Sequence, residues 1–183
     1  VVTFLVSLSL SKSSYAETIN IDELYELDGV YFQKFTSEPF SGTATVYLDD
    51  QKKVVLRNEK YVSGKIVYEE EFCRNGRLKY KRNLISKFEA EDGIHTVYYC
   101  NGKVESRWEL KNGVMDGHHQ NFLESGILSS QHQYSNGELI KTEYRDDYGV
   151  IQSSEEFKGS LTQKTTYHPN GKVAIKANYK NDK

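Results

Sequence analysis

The sequence predicts an all-β protein: one elongated, single-sheet antiparallel β-meander of about five to six hairpin repeats, with a short N-terminal helix. Three observations predict it. Glycine turns recur at a nearly fixed interval. Gly76, Gly102, Gly126, Gly149 and Gly171 are spaced by 26, 24, 23 and 22 residues, and a second series, Gly64, Gly113, Gly137 and Gly159, falls between them; such a period marks a repeat array. The segments between turns alternate apolar and polar positions, as half-buried strands require. The 183 residues include 14 tyrosines and 13 glycines but two prolines and one methionine, which favours strands and tight turns.

A mean hydropathy of −0.68 excludes a polytopic membrane protein and leaves material for only a thin core. The net charge of −2 gives no electrostatic footprint for nucleic acid. The chain opens on an apolar run, VVTFLVSLSL, followed by small polar residues ending Ser14-Tyr15-Ala16. That resembles the h-region and cleavage site of a secretory signal peptide over residues 1–16. The expectation is export, to the periplasm or beyond, with cleavage near Ala16. About ten apolar residues are too few to span a bilayer; the alternative is an ordinary buried strand.

Residues 17–42 form a lead-in with a short helix and the first strand. Asn20-Ile21-Asp22-Glu23 has the capping-box pattern and opens a helix of about two turns through Leu27, with Gly29 after it. This piece is placed to cover the first edge strand. Residues 43–183 form the repeat array. Its turns include Asn75-Gly76, Asn101-Gly102, Asn112-Gly113, Asn136-Gly137 and Asn170-Gly171, pairs in which both residues tolerate positive φ. One turn is degraded near Ser86-Lys87. A further element, Gly-x4-aromatic, occurs as Gly42/Tyr47, Gly93/Tyr98 and Gly117/Phe122. Counted from each first-series glycine, positions +2 to +8 place Tyr80 and Arg82, Ser106 and Trp108, Ser130, His132 and Tyr134, and Ser153 and Glu155 on one face. The row Arg82, Trp108, His132, Glu155, flanked by Tyr80 and Tyr134, has the composition of a recognition patch. The serines beside it leave room for bulky neighbours.

Cys73 and Cys100 are an even number in an exported chain, so a disulfide is possible. Spacing does not favour it. Placed on strands two apart, the cysteines are about 9.6 Å from each other, beyond the usual disulfide range of about 4.4–6.8 Å, and on opposite faces. A bend at the insert from Glu89 to Gly93 is what would bring them together. His95, His118, His119, His132 and His168 show no metal-ligand spacing and read as scattered surface histidines. A hydrolytic relay of Ser130, His132 and Glu155 is disfavoured by strand spacing, which leaves a hydrolase as the remote third reading. No cofactor motif occurs.

KNGVMDGHHQNFLESGIL (111–128), YYCNGKV (98–104) and YHPNGKVAIKANYKND (167–182) resemble the MORN-variant repeat, and DGVYFQKFTSEPFSG (28–42) is similar to the lead-in of exported bacterial proteins that carry it. That group includes toxin–antitoxin system antitoxins of the YwqK type. The resemblance covers roughly Asp28 to Lys183. It implies a non-enzymatic binding protein, without cofactor, whose partner is a toxin or an envelope protein held in antitoxin-like or immunity-like fashion. The alternative it leaves open is an envelope lipid- or glycan-binding module.

Overall fold

The computed structural model describes residues 17–86 and 89–180. The expected leader, 1–16, lies outside the described residues, as does part of the turn expected near Ser86-Lys87. Strand β1 (Glu17–Asn20) leads through a 3-10 turn, Ile21–Glu23, into the hairpin β2 (Leu24–Leu27) and β3 (Val30–Gln33). The chain then runs through β4 (Gly42–Tyr47), β5 (Val55–Val62), β6 (Lys65–Phe72), β7 (Leu78–Ser86), β8 (Glu89–Ala90), β9 (Gly93–Tyr98), β10 (Val104–Lys111), β11 (Val114–Met115) and β12 (Gly117–Phe122). It ends with β13 (Leu128–Ser135), β14 (Glu138–Arg145), β15 (Ile151–Lys158), β16 (Leu161–Tyr167) and β17 (Val173–Lys180).

Fifteen strands form one sheet in which β4 to β17 follow in chain order, with β8 and β11 off the main path as short pieces paired to β7 and β10. Every pairing from β4 onward is antiparallel, while β1 lies parallel on the outer side of β4. The expected meander is therefore present. The closely packed element pairs are hydrogen-bonded neighbours, apart from the 3-10 turn on β4, so the sheet is essentially one layer thick.

Two kinds of turn alternate along the array. Cys73–Arg77, Tyr99–Lys103, Leu123–Ile127, Asp146–Val150 and His168–Lys172 share one geometry: the first N–H donates to the fifth carbonyl, and the glycine N–H donates to the first carbonyl. Only the glycine has positive φ there. The asparagine serves instead as an acceptor, its Oδ1 taking the fifth N–H at Asn75, Asn101 and Asn170 (2.9–3.1 Å). Asp146 Oδ1 takes the Val150 N–H at 2.9 Å, so this turn keeps its shape without an Asn-Gly pair. Ser63-Gly64, Asn112-Gly113 and Asn136-Gly137 are different: both residues have positive φ, the signature of a two-residue type I′ hairpin. Each of these turns is tied to the residue just before the preceding Gly-x4-aromatic glycine, Gly42, Gly93 or Gly117. Asp92 accepts from the N–H groups of Asn112 and Gly113 (2.7 and 2.9 Å), Asp116 from Asn136 (3.1 Å), and Ser41 from Ser63 (2.8 Å).

The N-terminal helix is not formed. The Asn20–Glu23 capping box is present, with Asn20 N–H donating to Glu23 Oε1 at 3.1 Å, but it caps a single 3-10 turn. Leu24 to Leu27 is strand, because Asp28-Gly29, with φ of 50° and 73°, folds it back on Val30–Gln33. A full strand register outweighs a helix too short to repay its nucleation. This hairpin does not shield the edge; β1 forms the edge. It roofs one end of the sheet instead. Tyr31 N–H donates to the Gly64 carbonyl (2.9 Å) and Gly64 N–H to the Phe40 carbonyl (2.8 Å). Beneath lie Ile19, Phe40, Ala44 and Tyr61, the buried core cluster, with Leu24, Tyr31 and Ile66 packed against it.

Cys73 and Cys100 are joined in a disulfide, with Cα atoms 5.6 Å apart, against the sequence expectation. The strand-spacing argument fails because neither cysteine is in a strand. Cys73 is the first residue of one five-residue turn and Cys100 the second residue of the next. These turns lean on one another: Asn75 Nδ2 donates to the Cys100 carbonyl at 2.9 Å, Arg77 to that of Asn101, Asn101 Nδ2 to that of Glu124 at 3.1 Å, and Lys103 Nζ to that of Ser125 at 2.6 Å. Turn residues lie outside the ladder, so leaning closes the gap that sheet spacing fixes between strands.

Two outcomes follow for stability. Removing the disulfide by Cys73→Ser with Cys100→Ser, a crosslink over a separation of 27 residues, should cost about 3–4 kcal/mol by loop-closure entropy, read as a lower urea midpoint. At Gly64 an added Cβ would meet the Tyr31 carbonyl at 2.9 Å and the Val30 side chain, whereas at Gly113 it meets nothing within 4 Å. Gly113→Ala should then show only backbone strain, about 1–2 kcal/mol, and Gly64→Ala roughly 1–3 kcal/mol more.

Candidate functional site: an aromatic and imidazole row

Antiparallel register decides which side chains share a face. Glu59, Glu69 and Arg82 lie opposite one another on β5, β6 and β7. His95 lies opposite Trp108. His119, His132, Thr142, Glu155 and Lys164 line up across β12 to β16. The expected positions Arg82, Trp108, His132 and Glu155 thus lie in one row running across the strands, and the intervening strands supply its other members.

The middle of the row is a continuous run of rings. His95 stacks on Trp108 with centroids 5.5 Å apart and an interplanar angle of 18°. Trp108 meets His119 edge-on at 5.9 Å, His119 meets His132 at 5.8 Å, and His132 meets Tyr144 at 5.9 Å. All are partly exposed. Ser106 Oγ lies 3.0 Å from His119 Nε2, and His132 Nδ1 lies 3.1 Å from Thr142 Oγ1. Ser106 and Thr142 therefore orient imidazoles rather than merely leaving space. Burial holds both imidazoles below their ordinary titration value, with His132 adding to the effect at His119, which favours the uncharged rings.

The two ends are charged and internally paired. Glu69, 7% exposed, accepts from Arg82 Nη2 at 2.9 Å and from Tyr80 OH at 2.7 Å. Burial and the Glu69 carboxylate push the Tyr80 phenol up to about 12. At the other end Lys164 Nζ lies 2.8 Å from Glu155. Tyr80, Arg82, His95 and Trp108 line a shallow cavity of about 170 Å³. Tyr134 lies opposite Gly117, to one side of the rings.

The histidines are not scattered: three of the five join the row. The signal was present, since His95 and His119 each follow a Gly-x4-aromatic glycine, Gly93 or Gly117, by two residues, which fixes their face. No Ser–His–acid relay forms. Ser130 Oγ is 3.5 Å from His132 Nε2, and Thr142 stands between His132 and Glu155 in the register. Among the described residues no cluster of three or more His, Cys, Asp or Glu is arranged to hold a metal ion. The geometry is that of a surface with fixed rings, suited to contact.

Residues 91–112 and 163–181 match the family model for the MORN repeat variant. The first segment spans β9 and β10 with the five-residue turn between them, and the second spans the equivalent β16–β17 hairpin. No curated protein matches the chain. Among solved structures it is similar to a chain in the crystal structure of accessory secretory protein 1,2 and 3 in Streptococcus pneumoniae, at 14% identity and a TM-score of 0.25. That match covers 84% of this chain and 22% of the other, so the chain spans about a fifth of that protein's length.

The row predicts a pH response. Because folding lowers the imidazole values of His119 and His132, the unfolded chain binds more protons below about pH 6.5, and stability falls as the pH drops from there through the folded values. His119→Asn with His132→Asn should flatten that slope, and imidazole NMR titrations of the native protein should give midpoints below 6.5 for both.

Proposed function

We propose that this chain is a non-enzymatic, exported repeat protein that binds a protein partner through the ring row, in antitoxin-like or immunity-like fashion. The partner would be a toxin or an envelope protein held by contact alone. The observation that carries this reading is the continuous run His95, Trp108, His119, His132 and Tyr144 on the side of a single-layer sheet that, among the described residues, only the N-terminal hairpin roofs. Rings held by their neighbours lose little freedom on binding, and a central tryptophan amid polar groups is the usual make-up of a binding hot spot. MORN repeats are often protein- or lipid-binding modules, and their all-β fold is typically non-catalytic. Export rests on the leader-like character of residues 1–16. A lipid or glycan in the envelope is the second reading, favoured by the cavity beside the stacked His95–Trp108 pair.

The test is affinity capture from envelope extract with the native chain and with Trp108→Ala. Specific protein partners should be retained by the native chain and lost about 30-fold or more by the variant, the size of a hot-spot truncation. Capture of no protein, with Trp108-dependent co-sedimentation on liposomes or peptidoglycan, would replace this reading with the second.

A further inference from the structure

The first five-residue turns are joined by side chains that reach forward. Asn75 Nδ2 donates to the Cys100 carbonyl and Arg77 to that of Asn101, while Asn101 Nδ2 donates to the Glu124 carbonyl and Lys103 Nζ to that of Ser125. The second and third carbonyls of these two receiving turns are therefore occupied. The pattern breaks at the front of the stack. The connection before Cys73–Arg77 is a longer loop, Leu48–Val54, closed by Leu48 N–H on the Val54 carbonyl at 2.9 Å and Lys52 N–H on the Asp49 carbonyl at 3.0 Å. No side chain of this loop reaches forward in the same way. The carbonyls of Arg74 and Asn75, equivalent to those of Cys100 and Asn101, accept no hydrogen bond from a described residue.

A cavity of about 540 Å³ occupies the break, within the range of about 300–1,000 Å³ usual for small-molecule sites. Its walls include partly buried Val54, Val55 and Phe72 and exposed Lys53 and Arg74. Neither cation forms an ion pair with a described residue, whereas Lys79 and Arg82 on the neighbouring strand both do. Asn58, which also lines the cavity, alternates along β5 with Glu59 of the ring row, so the cavity lies on the other face of the sheet. Cys73, between Phe72 and Arg74, is crosslinked to Cys100. The crosslink fixes one wall in advance, which lowers the cost of ordering it around a ligand.

We infer that this break is a binding site for a small organic acid: a carboxylate set between Lys53 and Arg74, on a flat apolar body lying against Val54, Val55 and Phe72, with a donor group for the carbonyls that the stack leaves open. The two cations supply charge-assisted hydrogen bonds to the carboxylate, and the apolar wall takes the body out of water. A cationic ligand would set its charge against Lys53 and Arg74. The inference uses neither the residues nor the face on which the ring-row reading rests.

The probes are 6-hydroxy-2-naphthoate and its uncharged carboxamide, titrated into the full chain and followed by fluorescence anisotropy of the ligand and backbone amide NMR. The acid should bind at least about tenfold tighter than the amide, with the advantage shrinking at high salt and the shifts centred on Val54, Val55 and Phe72. Lys53→Gln with Arg74→Gln, both at exposed positions, should remove the preference. Lys34→Gln with Lys172→Gln, which changes the net charge equally away from the cavity, should keep it. No binding of the acid, equal affinity for acid and amide, shifts centred elsewhere, or the same loss in both double variants would each overturn the inference.

Discussion

The cross-strand pair is the interaction on which this molecule rests. Among the described residues a compact hydrophobic cluster exists only under the N-terminal hairpin. Elsewhere the sheet is one layer, and a side chain's neighbours are those opposite it on adjacent strands. The ring row is one such column. The other face has its own, made of amides and hydroxyls: Thr45 donates to Asn58 at 3.0 Å, Gln120 to Gln131 at 2.9 Å, and Gln163 to Asn178 at 2.9 Å. Each such pair contributes only about 0.2–1 kcal/mol, so stability comes from their number and from faultless register. A slip of one residue would exchange the two faces and undo every column together.

Register is set at the turns. After each five-residue turn a bulge falls at the same place, between Leu78 and Tyr80, Val104 and Ser106, Leu128 and Ser130, Ile151 and Ser153, and Val173 and Ile175. The extra residue bends the strand and adds twist, in the same sense in each repeat. Asp92 and Asp116 hold the opposite row of turns by side-chain bonds to backbone N–H groups, and the bonds from Gly113 and Asn112 hold the Asp92 carboxyl below the ordinary carboxylate range. Turn, bulge and anchor together deliver His95, Trp108, His119 and His132 to one line.

What was legible in the sequence was periodic. The meander, the turn positions and the facing of Arg82, Trp108, His132 and Glu155 all follow from counting, because glycine spacing and period-two alternation translate directly into register. What was not legible depended on competition or on geometry outside the ladder. Asn20–Glu23 is a sound helix start, yet Asp28-Gly29 five residues on is a sound hairpin, and the choice between them is made by Tyr31 and Phe40 docking over Tyr61. Cys73 and Cys100 looked too distant because sheet spacing was applied to residues that belong to turns. His95 and His119 were missed as row members because the strands that carry them are interrupted ahead of Gly93 and Gly117, which hides their phase from a count begun at the previous turn.

The crosslink between the first two five-residue turns makes the array directional. In a one-dimensional stack each unit is steadied by its neighbours, and here the neighbours are unequal. The half that carries the roofed cluster also carries the covalent bridge, while the described hairpins beyond the bridge are held by cross-strand pairs. Local opening should therefore be easier in those hairpins than between Cys73 and Cys100, where the bridge acts as a stop. A load applied along the chain would meet unequal resistance on the two sides of the bridge, a mechanical polarity written into a sheet of otherwise repeating parts.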